Sequence, residues 1–573
     1  MNKVSVDERA ALVAGPSPRP VARSWTSALF AAFSVVTTAR IVTSRGRDEY
    51  AIWPDEPSQL AVARFIGGGT RWNMYDHSVW RPLFGTLLAP VYWFTDDPTT
   101  VFHVALALNA VLGGVAAALL VPLARRLTPL SPWWCCAVAV SVSVAPAAIF
   151  PTSFVFSESL LVPIYLATLL VLFAVNESPS LGRGLLAGVL AAAGFATHSR
   201  MLPLVAIVIG VVLLAAVRRR ISARDAVVVV AGTLGATAVV SMYTSYVVDR
   251  LWSEPSTRNS MGGVLEQLRS GWPVLVSALG QTWYLLVASL GVIAYGVFVL
   301  VRAAFGRSLL AGPRAGDARL LLVTTGVCIS LSMVFMADRW RSDQLVYGRY
   351  NDAVVGPVLV VGIAVLLGAI PVRRLVAIVG SAALAILGTG SILWALRSTE
   401  LSASNGLEPM ILGLQSFATS ATSIEVIRIS WWAAVLTIAV GAIAVAATRR
   451  AMPAVVLVVL IALVGLGWVR TKTILDRSWD DSGDISAVED LRDGPLNDGV
   501  AVDFYLPWGS TSTNRMMAYQ FHLPRTEFTV VHDQVDDASS PLVFARVRDD
   551  GFDEVGATLI WRDPRGRYGL WER

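Results

Sequence analysis

Long apolar runs alternate with short polar connections along most of this chain. A membrane-spanning helix needs about 20 mostly apolar residues, and by that measure the pattern predicts about 13 spans. They cover 25–42, 101–121, 132–149, 157–175, 182–197, 201–217, 226–246, 274–301, 320–336, 353–371, 375–396, 430–448 and 452–469. Two stretches break the rhythm. Residues 43–98 form a long polar and aromatic loop after the first span. Residues 471–573 turn acidic and then show strand-like runs at Val500–Val502, Phe528–Val531, Thr558–Trp561 and Tyr568–Trp571, with a helix predicted over Arg515–Phe521. The expected fold is an α-helical polytopic membrane protein over 25–470, preceded by a polar tail, 1–24, and followed by a small α/β domain, 471–573.

Charge orders these elements. The arginine-rich connections at 125–126, 218–220, 302–319, 373–374 and 449–450 all fall on one side if the chain starts in the cytoplasm. Positive residues favour the cytoplasmic side of short loops. The alternation then places the 43–98 loop, the turns at 157–158 and 197–200, the 338–352 loop and the C-terminal domain outside the plasma (inner) membrane. Composition agrees: the chain is 55% hydrophobic and 15% charged, against roughly 25% charged in soluble domains. The net charge of +5 comes from arginines between apolar runs, so it does not point to nucleic acid. Cys135, Cys136 and Cys328 lie within apolar runs and read as small buried residues, not as a disulfide or metal site. The first apolar run has no convincing cleavage site and reads as a retained helix.

Inside the 43–98 loop, Pro57–Ile66 is predicted as a short amphipathic helix, broken at Gly67-Gly68-Gly69, and Pro82–Phe94 as a second interfacial helix. A loop of this length that stays near the membrane suggests a substrate-binding cover.

Ionisable residues gather at the outer mouths of the spans. Asp55 and Glu56 sit between Pro54 and Pro57, behind Trp53, where the first span has just ended. A solvated acidic loop is the plain alternative. Rigid prolines and a charge held near the bilayer favour function instead: general base to an acceptor hydroxyl, or ligand to a divalent cation such as Mg2+ or Mn2+. Glu158 opens the fourth span, where Ser157 can cap the helix and the helix end favours a carboxylate. A substrate role is the other reading. His198 and Arg200 lie in the Thr197–Arg200 turn, with Arg on the side that charge bias disfavours. Arg200 can meet a phosphate and His198 a sugar hydroxyl, though any short turn must be polar. A last cluster runs from Asp338 to Arg341 and from Tyr347 to Asp352. There Arg349 and Tyr350 can grip a phosphate, and Gly348 admits close approach. Interfacial anchoring is the competing explanation. Trp53, His77 and Arg81 complete the candidate substrate-binding set, and Trp72, Tyr75 and Trp80 can stack on sugars or simply form an aromatic belt.

Many spans, a carboxylate pair in the first long outer loop and Gly348-Arg349-Tyr350 opening a late span resemble the GT-C superfamily of glycosyltransferases. These include protein O-mannosyltransferases, the lipid A aminoarabinose transferase, and actinobacterial arabinofuranosyl- and mannosyltransferases. The terminal domain is similar in layout to that of the mycobacterial arabinosyltransferases, which often carry two aspartates where this chain has Asp55-Glu56. The resemblance implies a polyprenyl-phosphate sugar donor, a cell-envelope glycan, lipid or protein acceptor, outward-facing chemistry and usually inversion. In that scheme Asp55 deprotonates the acceptor, and Arg349, Tyr350 and Arg200 stabilise the departing phosphate. Glu56 or Glu158 orients the acceptor or holds a metal. A flippase for lipid-linked saccharides is the main rival, but transporters place charge at the bilayer midplane and often show internal repeats. A non-catalytic envelope assembly protein is the other.

Overall fold

The computed structural model describes residues 21–49, 55–75, 81–252, 266–310, 312–337, 341–403, 408–417, 423–446, 452–480, 485–492, 494–496, 500–506, 513–532, 538–548, 552 and 556–573. Trp53, His77, Trp80 and Asp338–Trp340 lie outside them.

Every predicted span coincides with a helix. Among the described residues, nine helices are long and apolar enough to cross a membrane, or 11 if each of two bent pairs is one span. Leu181–Thr197 is a shorter apolar helix, and Met452–Asp480 covers the last predicted span. The chain is a multi-pass membrane protein.

Two spans are not single rods. The run predicted at 132–149 is Pro132–Ser143 followed by Pro146–Ser153 at 75°. Pro146 opens the second piece, where a missing N–H costs nothing but the preceding helix cannot continue. The run predicted at 274–301 is Trp272–Ala288 followed by Val292–Ala304 at 107°. This corrects the expectation of one continuous crossing. Leu290 and Gly291 both have positive φ there, a left-handed turn that ends the first helix.

The loops sort into two groups at opposite ends of the helices. Glu158 and Glu177 are the two ends of one helix, about 30 Å apart. At the Glu177 end, Arg126 bonds Asp317 at 2.7 Å and Glu177 at 3.1 Å, and Arg220 donates to the Asn176 carbonyl at 2.7 Å. At the Glu158 end come Asp55, Arg200 and Arg349. Among the described residues, Arg126, Arg220 and Asp317 thus gather at one end and Asp55, Glu158, Arg200 and Arg349 at the other, as alternation predicted for these connections.

The helix Glu56–Ile66 forms as expected, with Pro57 in its first turn. It does not lie open at the interface: Glu56 to Arg64 are all buried. The pieces Leu83–Leu88 and Ala89–Trp93 cover one flank, where Gln59 accepts from the Gly85 N–H at 3.0 Å. The C-terminal domain covers another.

That domain is one five-stranded sheet, ordered β2-β1-β3-β5-β4. Its strands are β1 (Ala501–Tyr505), β2 (Glu527–Val531), β3 (Leu542–Arg546), β4 (Thr558–Arg562) and β5 (Tyr568–Glu572). The helix Thr513–His522 crosses between the parallel strands β1 and β2, while β5 runs antiparallel to β3 and β4. Only β3 lacks a counterpart in the sequence reading. The domain docks on the first loop through Gln520 of the helix Thr513–His522, which accepts from the Asn73 N–H at 2.6 Å and donates to the Asn73 carbonyl at 3.1 Å. Phe504, Tyr519 and Phe521 share one apolar core with Leu60, Trp72, Phe84 and Phe102.

Candidate active site

Three segments converge at one end of the bundle. Asp55 precedes the helix Glu56–Ile66, Glu158 opens the helix Glu158–Glu177, and Arg349 opens the helix Arg349–Ala364. The Arg349 guanidinium bonds both carboxylates, Asp55 through Nη1 and Glu158 through Nη2 at 2.8 Å. It also lies 3.6 Å from the centre of the Phe156 ring. All three charged side chains are nine-tenths or more buried. The trio carries a net charge of −1, from two carboxylates and one guanidinium.

The surrounding chain fixes this geometry. Asn109, buried in the helix Pro98–Leu127, donates to the Phe154 carbonyl at 2.8 Å and so pins the segment before Glu158. Glu56 accepts from the Val155 N–H at 2.9 Å. The adjacent acids thus diverge: Asp55 meets Arg349, and Glu56 meets backbone. Ser157 makes no side-chain cap to the Glu158 helix, contrary to expectation. Gly348 is needed for a different reason than ligand approach, because a Cβ there would lie 1.9 Å from the Tyr284 ring. Tyr284 in turn donates to Asp352 at 2.6 Å and accepts from the Gly413 N–H at 3.1 Å.

The other candidates ring this trio. The Arg200 guanidinium stacks 3.3 Å from the centre of the Tyr350 ring and is within electrostatic reach of Glu158. His198 meets the edge of Tyr350 at 4.9 Å, and its Nδ1 accepts from the Arg200 N–H at 3.2 Å. Burial first, and the charges of Arg200, Arg349 and Arg81 after it, push His198 well below the usual imidazole range. The ring is neutral. Arg81 sits to one side, donating to Thr244 at 3.2 Å and lying 3.9 Å from the centre of the Phe195 ring. Arg341 pairs with Asp343 at 3.0 Å, away from the trio.

One residue escaped the sequence reading. Arg40 lies in the first membrane helix, Val21–Thr43, and is buried. Its Nη2 donates to the Ala148 carbonyl at 2.7 Å. Gly113 on the adjacent helix makes room for it, since a Cβ there would meet Arg40 Nε at 2.2 Å. The signal was an arginine inside an otherwise apolar span, which is functional by default.

Arg40, Glu158, Arg349 and Asp352 line a cavity whose other walls are mostly apolar, including Leu120, Val162 and Leu166. Glu158 Oε1 and Arg40 Nε, on residues of this lining, and Arg200 Nη1 outside it are buried without hydrogen-bond partners. Buried polar atoms are rarely left so unless something else satisfies them. The donor set does not suit a divalent cation: Arg349 stands between Asp55 and Glu158 where the ion would sit. Among the described residues, no three His, Cys, Asp or Glu side chains are grouped to hold a metal.

No protein-family model matches the sequence, and no curated protein sequence matches it. Solved structures do. ArnT from Cupriavidus metallidurans bound to undecaprenyl phosphate is similar at a TM-score of 0.54 and 14% identity, covering 96% of this chain and 98% of that one. The same protein in the apo state gives 0.52, again at 14% identity and the same coverage. The arabinosyltransferase EmbB from Mycobacterium smegmatis gives 0.45 at 16% identity, covering 81% of this chain and 43% of that one. At such identities the likeness to ArnT is one of fold. It extends over nearly the whole chain, so the two proteins share a fold.

Proposed function

We propose that this chain is a membrane glycosyltransferase that moves a sugar from a polyprenyl-phosphate donor to a hydroxyl of a cell-envelope acceptor. The reaction takes place at the outer face of the plasma membrane, and the N-terminus is cytoplasmic. One observation carries the proposal. Glu158 and Arg349 of a buried acid–arginine–acid trio line a cavity that combines charged groups with apolar walls. That combination suits an amphiphile with a phosphate head and a hydrocarbon tail, and ArnT, whose fold this chain shares, is a protein bound to such a lipid.

The residues divide the work as follows. Without donor, Arg349 neutralises Asp55 and Glu158. The donor phosphate competes for the same guanidinium fork, which suits phosphate and carboxylate alike. As Arg349 turns to phosphate, Asp55 gains a free oxygen for the acceptor proton. Asp55 takes that proton, and the acceptor oxygen attacks the anomeric carbon from the face opposite the phosphate. The bond from that carbon to the phosphate oxygen breaks, inverting the centre. Polyprenyl phosphate leaves with the bonding pair, its added charge met by Arg349, Arg200 and Arg40 in a dry site. Tyr350 holds Arg200 in place, Glu158 Oε1 accepts from a sugar hydroxyl, the Nε2–H of neutral His198 donates to one, and Glu56 positions the segment before Glu158. No step is routed through a metal.

The test is transfer of radiolabel from polyprenyl-phosphate sugars in membranes carrying wild type or Asp55→Asn. General-base removal should lower transfer by about 10²–10⁴, with the fold retained. Unchanged transfer in the variant would overturn the role of Asp55. Lipid-linked sugar crossing the bilayer without forming a glycosidic bond would favour a flippase.

A further inference from the structure

A second cleft lies where the first outer loop meets the C-terminal domain. Its empty volume is about 840 Å³. One wall is Gly67-Gly68-Gly69, and the structure gives each glycine a reason. A Cβ on Gly67 would lie 2.5 Å from Cβ of Tyr92, and one on Gly69 would lie 2.8 Å from Cγ of Arg64. Gly68 has φ +88 with nothing within 4 Å, so the crest of the loop is bare backbone facing open space. The rest of the lining is polar: Arg64, Thr70, Thr95, Asp96 and Arg525, with the ring of Tyr92.

These groups are held, not loose. Thr70 donates to the Pro524 carbonyl at 2.5 Å and accepts from Arg64. Arg525 bonds Asp96 at 2.9 Å across the rim, joining the C-terminal domain to the loop. The cleft exists only because the two segments meet.

We infer that this cleft is a saccharide-binding subsite, which holds the acceptor glycan at sugars remote from the reacting hydroxyl. The inference rests on the glycosyltransferase reading above. Forked planar groups, hydroxyls, bare backbone and one phenol ring are what a polyhydroxylated, semi-rigid ligand needs. A phosphate headgroup would face the Asp96 carboxylate, and the lining offers no apolar groove for a tail. A bare cation would face two guanidinium groups. Position agrees as well: the cleft lies at the far end of the helix Glu56–Ile66 from Asp55, about 16 Å along its axis. A chain of a few sugars spans that distance. The terminal domain thereby acquires a role, as one wall of a grip that selects long acceptors.

The test uses the full chain in nanodiscs, carrying Asp55→Asn so that nothing turns over. Binding is measured for cell-envelope oligosaccharides graded from one sugar upward, with inorganic phosphate and phosphatidylglycerol vesicles as comparators. Longer oligosaccharides should bind about tenfold tighter than single sugars, and adding Asp96→Ala with Arg525→Ala should abolish that gain. This pair is solvent-exposed, so its loss leaves the fold intact. Affinity independent of length, a length gain that survives the double substitution, or displacement of glycan by phosphate or vesicles would each overturn the subsite. Failure of the enzyme reading shows elsewhere, as no sugar transfer by wild type to any acceptor.

Discussion

Both ends of the helix Glu158–Glu177 carry arginines bonded to two carboxylates, and the two arrangements differ in what they leave unfinished. At the Glu177 end, Arg126 bridges Asp317 and Glu177, donates to the Phe173 carbonyl at 3.1 Å, and Glu177 also takes Arg314. The Glu177 and Arg314 side chains are 46% and 64% exposed. At the Glu158 end, Arg349 bridges Asp55 and Glu158 with both acids below 10% exposure, and unpartnered atoms of Glu158, Arg200 and Arg40 lie around it. The first network is complete and holds helices together. The second is buried, incomplete and open to a cavity. An ion pair alone says little about function. Burial together with unmet hydrogen-bonding capacity says a ligand belongs there.

Substitutions can break that contrast. Arg349→Met leaves two buried carboxylates without a counter-charge, which costs about 3–5 kcal/mol, and it also removes the phosphate ligand. The expected result is a large fall in melting temperature together with transfer below detection. A variant that melts as wild type would mean the acids are wetter than the structure shows. Arg126→Met should separate the two properties. Asp317 is almost fully buried, so stability should fall, whereas the rate per folded molecule should hold. A rate loss as steep as that of Arg349→Met would erase the distinction between the ends.

Arg40→Met should act mainly on the donor. Its guanidinium lines the same cavity as Arg349 and Glu158 and, in the proposed scheme, meets the donor phosphate both when bound and as it departs, so KM for the polyprenyl donor should rise about tenfold with a smaller fall in kcat. An effect on kcat alone would mean that Arg40 meets the phosphate only in the transition state. Smaller still is Arg314→Ala, at the exposed rim of the Glu177 network, where neither melting nor transfer should change measurably.

The sequence carried the architecture because bilayer thickness fixes the length of each apolar run and charge bias sorts the loops. Asp55, Glu158, Arg200 and Arg349 were singled out for the same reason: charge is scarce at the mouths of apolar helices. What charge scarcity does not encode is pairing. Nothing in Asp55-Glu56 announces that one acid turns to Arg349 and the other to the Val155 amide. Nothing in Gly348 announces Tyr284. Arg40 was missed because the first run, 25–42, was read for its apolar length alone. Strand β3, Leu542–Arg546, is buried through four of its five residues, so it shows no alternation to betray it. The 107° turn at Gly291 was invisible because apolar residues run straight through it.

The end that carries Asp55 and Glu158 holds a third set of charges, and they tether the domain to the membrane region. His522, 4% exposed, contacts Glu489 through Nδ1 at 2.8 Å and Glu49, just past the first membrane helix, through Nε2 at 3.1 Å. Arg492 pairs with Glu489 at 3.3 Å and donates to the His522 carbonyl, and Asp97 lies near Glu489. Burial disfavours the charged imidazole, but Glu489 and Glu49 outweigh it and raise its pKa above the usual 6.5. Because the folded value is the higher one, the stabilisation is complete below about 6.5 and is lost as pH rises through the raised value. A neutral ring donates from one nitrogen only and cannot hold two carboxylates. Glu489 acts in the opposite sense. Its pKa is lowered, chiefly by the bond from His522, so its contribution is present above the ordinary glutamate range and is lost as pH falls through the depressed value. Docking of the C-terminal domain should therefore be tightest in mildly acidic to neutral solution. Amide exchange at Asn73 and across Thr513–His522, followed against pH, measures it directly. In wild type, protection should fade on the alkaline side. In His522→Gln, which cannot be charged, the alkaline loss should disappear and protection should sit at a uniformly lower level. Alkaline fading that persists in His522→Gln would assign the titration to another group.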